Sequence, residues 1–181
     1  MRRTLASYWG VANRKQLVDI LGWLRDEGHR AEYEALVKAM AEAGPLTDPA
    51  ELLAPEAAHE MGPDDLDVFR NKAAFAAEHG REQPSILAWD LCRLVSVARF
   101  GAAAGYFPEA EAWSWILEAA RRLRAAFASW CELGDNYMTG RGFWAQQGGA
   151  EAIARFKRIH ARLIDPTNAS SPWNQITWNG N

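Results

Sequence analysis

The segment SILAWDLCRLVSVARFGAAA, residues 85–104, constrains the fold of this 181-residue chain more than any other. It is apolar around most of its helical circumference, and its narrow, less apolar side consists of Cys92, Ser96, Arg99 and Ala103. A helix of this kind is stable only when other elements cover most of its surface. We therefore expect residues 85–104 to form the central helix of the fold.

Other segments carry apolar residues on one helical face and would surround that central helix. They span about residues 13–28, 31–42, 64–79, 108–127, 129–144 and 150–163. Sustained two-residue alternation, which would indicate strands, is not found. The sequence predicts an all-α protein, a single compact domain of about six to seven helices. Residues 1–164 would form this domain, and residues 165–181 a polar tail that contains tryptophan.

Two further segments have less regular patterns. The proline-rich stretch 44–63 reads as a loop, with at most one helical turn at Leu52 and Leu53, and could be a lid or a connection. The N-terminal MRRTLASYWG lacks the apolar core of a signal peptide, and no run is long enough to span a membrane. We therefore expect a cytoplasmic protein.

The composition narrows the functional classes. The formal net charge of −3 and the absence of a nucleic-acid-binding motif argue against nucleic acid as a partner. Cys92 and Cys131 show no CxxC spacing, which is typical of reduced, buried thiols. No two histidine, cysteine or acidic residues show metal-ligand spacing, so we expect neither a metal nor a cofactor. Nine tryptophans are an unusually large number for this length.

The tryptophan-rich segment that follows Pro108 has two opposed helical faces. The predicted core stripe consists of Trp113, Ile116, Leu117, Ala120, Leu123 and Phe127. Trp115 would then project from the opposite face, among charged residues. An exposed tryptophan is a typical anchor for a protein partner. The alternative is that Trp173 or Trp178 from the tail folds over it.

The stretch SWCELGDNYMTGRGFW, residues 129–144, begins with a helix-capping pattern at Ser129 and Glu132. At 100° per residue, one face would carry Trp130, Leu133, Tyr137, Arg141 and Trp144. The three glycines leave two possibilities. Either the helix bends near Gly140, or the glycines permit close approach of another helix.

Two opposite charges fall on the most apolar faces of two predicted helices, Asp90 in the central helix and Arg141 in the helix 129–144. We expect them to pair, with Arg93 reaching Glu132 or Tyr137. A buried pair of this kind often fixes how two helices dock. The same residues could instead line a ligand or catalytic site.

Five motifs resemble, in order, those of the bacterial domain-of-unknown-function family 1266. They are WGV at 9–11, WLRDEGHR at 23–30, WDLCR at 89–93, GYFPEAEAW at 105–113 and SWCELGDNYMTGRGFW at 129–144. The resemblance covers about residues 8–145 and implies no activity. The residues that match it are Trp89, Asp90, Arg93, Gly105, Tyr106, Trp130, Glu132, Tyr137, Gly140, Arg141 and Trp144, while Cys131 stands where an acid is expected.

Two functions remain open. The leading hypothesis is a non-enzymatic module that binds another protein through Trp115, because no nucleophile constellation or phosphate loop is found. In its most specific form, it is an immunity-type protein that blocks a toxin. The alternative is an enzyme or small anionic-ligand binder with a pocket between helices 85–104 and 129–144. Its binding residues would be Arg93, Tyr137 and Arg141. Its catalytic candidates would be Asp90, Glu132, Tyr137, Arg141 and His29.

Overall fold

The computed structural model describes residues 1–44, 46–147 and 150–178, and regular structure within these ranges is helical. Short 3₁₀ turns occur at Pro49–Leu52 and Ala145–Gln147. The α-helices are α1 (Arg2–Trp9), α2 (Arg14–Asp26), α3 (Arg30–Ala43), α4 (Pro55–Glu60), α5 (Pro63–His79), α6 (Leu87–Ala103), α7 (Glu109–Ala126), α8 (Trp130–Trp144), α9 (Ala150–Ile164) and α10 (Pro172–Gln175). The all-α fold class is confirmed. The last three residues of the predicted tail lie outside the described ranges.

Helix α6 lies at the centre, as its composition predicts. It packs against α1, α2, α7 and α8, with a smaller contact to α3. Leu91, Leu94, Val97 and Ala98 are fully or almost fully buried and form the middle of the main core. A helix covered on several sides must be apolar on several sides, which explains why α6 lacks a single apolar stripe.

Local signals set the starts of α2 and α8. The side chain of Asn13 accepts a hydrogen bond from the backbone N–H of Gln16. The hydroxyl of Ser129 accepts one from the backbone N–H of Glu132, and the Glu132 carboxylate accepts from the N–H of Ala128. These contacts satisfy N–H groups that have no partner within a first helical turn. Both predicted helix starts are confirmed.

Helix α8 is continuous across its glycines. Gly140 lies against the side chain of Trp89 on α6, so closely that a Cβ at this position would overlap the Trp89 Cβ. The glycine therefore allows α6 and α8 to approach each other, and a bend near Gly140 is not observed. This close approach brings Tyr137 and Arg141 against Trp89.

Three short helices, α1, α4 and α10, lie outside the predicted helical segments. Helix α4 and the 3₁₀ turn Pro49–Leu52 exceed the single helical turn predicted for the stretch 44–63. Helix α1 buries Leu5 completely, and the Arg2 side chain donates to the backbone carbonyl of Ala104. Its eight residues contain too few apolar positions to show a period. Its position therefore depends on contacts with α6 that are distant in sequence.

The predicted core stripe of α7 is partly wrong. Trp113 and Leu117 are 52% and 56% exposed, whereas the small residues Ala112 and Ala119 face the core. Trp115 is half-buried against the core, with the Arg25 guanidinium 5.2 Å from its ring centroid. Alanines let α7 approach α6 closely, and this packing overrides the pattern set by the larger side chains.

The C-terminal segment 165–178 packs on the start of α8. Trp173 stacks on Trp130 and Trp178 meets it edge-on, with ring centroids 5.9 and 4.7 Å away. The indole N–H of Trp130 donates to the carbonyl of Ile176, and that of Trp178 to the carbonyl of Phe127. The two tail tryptophans thus cover Trp130, and the cover over Trp115 comes from Arg25.

Among the described residues, no helix combines the length and the apolar character needed to cross a membrane.

Candidate functional site

The carboxylate of Asp90 is completely buried, and its partners come from the start of α3. It accepts hydrogen bonds of 3.0 Å from the backbone N–H groups of His29 and Arg30. The Arg30 guanidinium lies 3.3 Å away and forms an ion pair with it. The predicted pair of Asp90 with Arg141 is therefore wrong. Arg30, at the start of α3, neutralises Asp90 instead.

Arg30 joins three helices. Besides Asp90 on α6, its guanidinium donates to the carbonyls of Leu24 and Arg25 at the end of α2. Unpaired carbonyls carry partial negative charge at a helix C-terminus, which favours a cation there. With two carbonyls and one carboxylate as acceptors, Arg30 and Asp90 have a structural role at the junction of α2, α3 and α6.

His29 connects this junction to a second arginine. Its Nδ1 lies 3.3 Å from the Asp90 carboxylate, and its Nε2 lies 3.2 Å from Nη1 of Arg93. A tautomer that donates from Nδ1 and accepts at Nε2 satisfies both contacts. In that arrangement both ring nitrogens are engaged, which argues against His29 as a general base.

Besides this junction, a cluster of charged and aromatic side chains surrounds Trp89. The guanidinium of Arg93 lies 4.7 Å from the Trp89 ring centroid and 4.3 Å from that of Trp9. The guanidinium of Arg141 lies 5.9 Å from the same Trp89 centroid. All three distances fall within the range of cation–π attraction. Two arginines from different helices thus lie against one aromatic side chain.

Arg141 lacks a conventional partner. Its guanidinium lies 4.3 Å from the ring centroid of Phe156 on α9 and 5.3 Å from that of Trp144. Its Nε is buried and finds no hydrogen-bond acceptor among the described residues. A buried donor without an acceptor costs free energy, about 1–3 kcal/mol for an ordinary group and more for a charged one. The Nε of Arg141 is therefore a donor that the described residues leave unused.

A cavity of about 330 Å³ adjoins this cluster, between α6, α8 and α9. Arg93, Tyr137 and Phe156 belong to its wall. Arg141 lies one helical turn from Tyr137 and against Phe156, but it does not line the cavity. The volume falls in the lower part of the range for small-molecule sites, about 300–1,000 Å³.

Burial shifts the titration of several groups around the cavity. It lowers the pKa of Arg93, and the charge of Arg141 acts in the same direction. It raises the pKa of Tyr137, which keeps the phenol protonated and able to donate a hydrogen bond at neutral pH. It also raises the pKa of the Cys92 thiol to about 12. The cavity wall thus offers one cation, Arg93, and a neutral donor, Tyr137.

The structure brings together only part of the predicted site. Arg93, Tyr137 and Arg141 meet around Trp89, and of these Arg93 and Tyr137 line the cavity, whereas Asp90 lies in the neighbouring junction. Glu132 is exposed at the start of α8, where it caps the helix instead of reaching Arg93. Trp115 lies on α7 against α2, away from these groups.

Sequence reasoning missed four residues around the site. Arg30 and Trp9 belong to the quoted motifs but had no assigned role, and Phe156 belongs to the predicted helix 150–163, also without one. Asn136 is buried and accepts from the N–H of Ala88, which caps α6. Asn136 could have been found, because it is a single polar residue on an inward helical face. Nothing in the order of the sequence indicates that Arg30, Trp9 and Phe156 lie near the site.

No group of three or more histidine, cysteine or acidic side chains within the described ranges is placed to hold a metal ion.

The fold and this cluster define a helical protein with an arginine–aromatic cavity between its central helix and two later helices. Residues 4–178 match the model of the family described as "Protein of unknown function (DUF1266)", and the chain belongs to that family. The resemblance found in the sequence motifs is thereby confirmed and extends to almost the whole chain. No curated protein and no solved structure matches the chain.

Proposed function

We propose that the protein binds a small anionic ligand in the cavity between α6, α8 and α9. Arg93 binds the anion, the neutral phenol of Tyr137 donates a hydrogen bond to it, and the nearby charge of Arg141 favours the anion electrostatically. The observation that carries this proposal is the guanidinium of Arg93 at the cavity wall, which has no carboxylate partner among the described residues. An oxyanion in the cavity would neutralise that charge.

The charge balance of the region supports an anion as the ligand. Asp90 neutralises one of the three guanidinium groups in this region, that of Arg30. No carboxylate of the described residues forms an ion pair with Arg93 or Arg141. Aromatic faces stabilise both cations only partly, because cation–π attraction is worth about 0.5–2 kcal/mol. The proposal is one of binding and includes no chemical step.

Thermal unfolding in the presence of simple anions tests the proposal. Inorganic phosphate and acetate, each compared with chloride at equal ionic strength, should raise the Tm of the wild-type protein, because a ligand of the folded state stabilises it. The increase should be lost in Arg93→Gln and reduced in Arg141→Gln. Arg158→Gln is the matched control, since it removes one exposed positive charge from α9. Equal increases in all four proteins would rule out the site.

A second candidate function is binding of another protein, and the exposed face of α7 favours it. Trp113 and Leu117 lie on this face, and a cavity of about 700 Å³ adjoins Trp113 between α6 and α7. Exposed tryptophan of this kind is typical of interface anchors. In its most specific form, the partner is a toxin that the protein blocks.

Retention of a partner from cytosol tests this second candidate. Trp113→Ala should release a stoichiometric partner that the wild-type protein retains. Tyr8→Ala is the control, because Tyr8 is a highly exposed aromatic residue on α1. Loss of the partner from both variants, or from neither, would count against a role for the α7 face.

A further inference from the structure

The exposed face of α7 changes in character along the helix. Its middle is apolar, because Trp113 and Leu117 are 52% and 56% exposed and lie one turn apart. Arg121 and Arg124, which follow on the same face, are exposed cations. At 100° per residue, these four residues fall within about 80° of the helix circumference. Glu109, an exposed anion in the first turn, borders this stripe on the side of α6.

The charges at the two ends of this face are not neutralised within the described part of the chain. No ion pair forms there at Glu109, Arg121 or Arg124. By contrast, the neighbouring Glu111 carboxylate lies 2.9 Å from the Arg14 guanidinium and is neutralised by it. Exposed apolar residues bordered by charges of both signs are typical of a surface that contacts another protein.

The order of these residues is symmetric about Leu117. With a rise of 1.5 Å per residue, Trp113 and Arg121 lie about 6 Å from Leu117 in opposite directions along the helix axis. Glu109 and Arg124 lie about 12 and 10 Å from it, again in opposite directions. Two copies of α7 can therefore lie antiparallel with Leu117 against Leu117. Each Trp113 then faces Arg121 of the other copy. Each Glu109 lies beside Arg124 of the other copy.

We infer that the exposed face of α7 is a homodimer interface, in which two copies pack antiparallel about a two-fold axis at Leu117. Each contact then occurs twice, as this symmetry requires. A guanidinium over an indole ring gains cation–π attraction, and Glu109 with Arg124 forms an ion pair. A parallel arrangement would instead place Arg121 against Arg121 and Glu109 against Glu109, so that like charges repel.

A groove of about 700 Å³ between α6 and α7 gives the second copy room beside this stripe. Glu109 lies in its wall and accepts a hydrogen bond of 3.2 Å from the Trp113 indole N–H. Arg124 of the second copy would reach Glu109 along this groove. Arg99, an exposed residue on the α6 wall of the same groove, repels that arginine weakly through water. Arg99 therefore distinguishes a second copy from an acidic partner protein, which it would attract.

This inference is independent of the anion cavity, and it names a second copy, in place of a different protein, as the occupant of the α7 face. Helix α7 has 18 residues and is about 27 Å long, so the contact is smaller than those of obligate dimers. We expect a reversible dimer with a Kd of roughly 1–100 µM.

Sedimentation equilibrium of the full-length protein over this concentration range tests the inference. The average mass should rise from 20.2 kDa toward twice that value. Leu117→Glu should raise the dimer Kd at least about tenfold, because two carboxylates would meet at the two-fold axis. Ile176→Glu is the matched control, since Ile176 is 57% exposed and lies outside α7. Arg99→Gln should leave the Kd unchanged or lower it.

An exchange of charges tests the antiparallel order. Glu109→Arg and Arg124→Glu should each raise the dimer Kd about tenfold, because each variant brings like charges together at two symmetric positions. An equimolar mixture of the two variants should regain the wild-type affinity, since both pairs of opposite charges are restored in the mixed dimer. Thermal unfolding confirms that each variant is folded.

The outcomes are distinct. A wild-type protein that stays monomeric overturns the inference and leaves the α7 face to a different protein. A dimer that Leu117→Glu and Ile176→Glu affect equally uses another surface, and a mixture of the charge variants that stays monomeric excludes the antiparallel order. Either result also overturns the inference. Anion binding is unaffected by all of them, because the thermal unfolding experiment with phosphate and acetate tests it separately.

Discussion

The carboxylate of Asp90 and the guanidinium of Arg30 lie 3.3 Å apart in the interior, where the backbone N–H groups of His29 and Arg30 also donate to the carboxylate. A buried carboxylate is tolerated when a cation and several donors surround it. The start of α3 provides all of these groups. This relationship explains why an acid occurs in the otherwise apolar helix α6.

Removal of the Asp90 carboxylate should strongly destabilise the protein. We expect Asp90→Ala to lower the free energy of unfolding by about 3–5 kcal/mol, because it leaves the buried Arg30 charge and two N–H groups without their acceptor. Urea unfolding followed by circular dichroism measures the change. The exposed Asp19→Ala is the control and should show little effect. A similarly small effect for Asp90→Ala would contradict the structural role.

A side chain at Gly28 should interfere with the same junction. Gly28 has a φ of 62° and lies so close to Asp90 that a Cβ would overlap the carboxylate. Gly10 has nearly the same φ, 64°, but no atom within 4 Å of a Cβ. Gly10→Ala should therefore cost only the left-handed backbone strain, about 1–2 kcal/mol.

Gly28→Ala should lower the free energy of unfolding by at least about 1 kcal/mol more than Gly10→Ala, because overpacking adds to the same strain. Urea unfolding of the two variants side by side isolates the overlap with Asp90. Equal losses would mean that the carboxylate can move away at no cost.

The contact between α6 and α8 predicts opposite effects at two helical glycines. Gly140→Ala should destabilise the protein by about 1–3 kcal/mol, because the new Cβ overlaps Trp89. Gly22→Ala, in α2, meets no atom within 4 Å and should stabilise it by about 0.5–1 kcal/mol. Thermal unfolding gives the sign of each change. A stabilising Gly140→Ala would show that the helices can separate without cost.

Arg141 should contribute little to stability if it serves a ligand. Its buried Nε has no acceptor among the described residues, so Arg141→Met removes an unsatisfied donor and keeps much of the packing volume. We expect the free energy of unfolding, measured with urea without added ligand, to stay within about 1 kcal/mol or to rise. A loss of 3 kcal/mol or more would assign Arg141 to the architecture instead.

The two cysteines should differ in reactivity. Burial raises the pKa of Cys92 to about 12, whereas Cys131 is exposed, so the prediction of two buried thiols is wrong for Cys131. Because the thiolate is the reactive form, iodoacetamide at pH 8 should modify Cys131 rapidly and Cys92 only after unfolding. Peptide mass spectrometry quantifies both products. Rapid alkylation of Cys92 in the native protein would show that the cavity wall opens in solution.

Stability at alkaline pH should fall for the same reason. A thiol whose pKa is higher in the folded state than in the unfolded state stabilises the folded state. This stabilisation is complete when the pH is below the pKa of the thiol in the unfolded state. That contribution is lost as the pH rises from about 9 to about 12. Cys92→Ala should weaken this decline, measured as the urea midpoint against pH, while Cys131→Ala should leave it unchanged.

Much of the fold was predictable because its determinants are local. The start of α8 depends on Ser129 and Glu132, which lie three residues apart, and the central position of α6 follows from its composition alone. The proximity of Arg93, Tyr137 and Arg141 was also partly predictable, because an arginine on an aromatic helical face needs aromatic or polar neighbours that stabilise its charge. Such signals lie within one or two helical turns, and neighbours at that distance contact each other in any helix.

The partner of Asp90 and the exposed face of α7 could be decided only by tertiary structure. Arg30 and Arg141 were both available to neutralise Asp90, and the start of α3 prevails because it brings two backbone N–H groups together with its guanidinium. On α7, Ala112 and Ala119 face the core because small residues allow two helices to pack closely, which leaves Trp113 exposed. Sequence periodicity determines which residues share a helical face. Which face is buried, and which charges meet, depends on how several helices together exclude water and satisfy their polar groups.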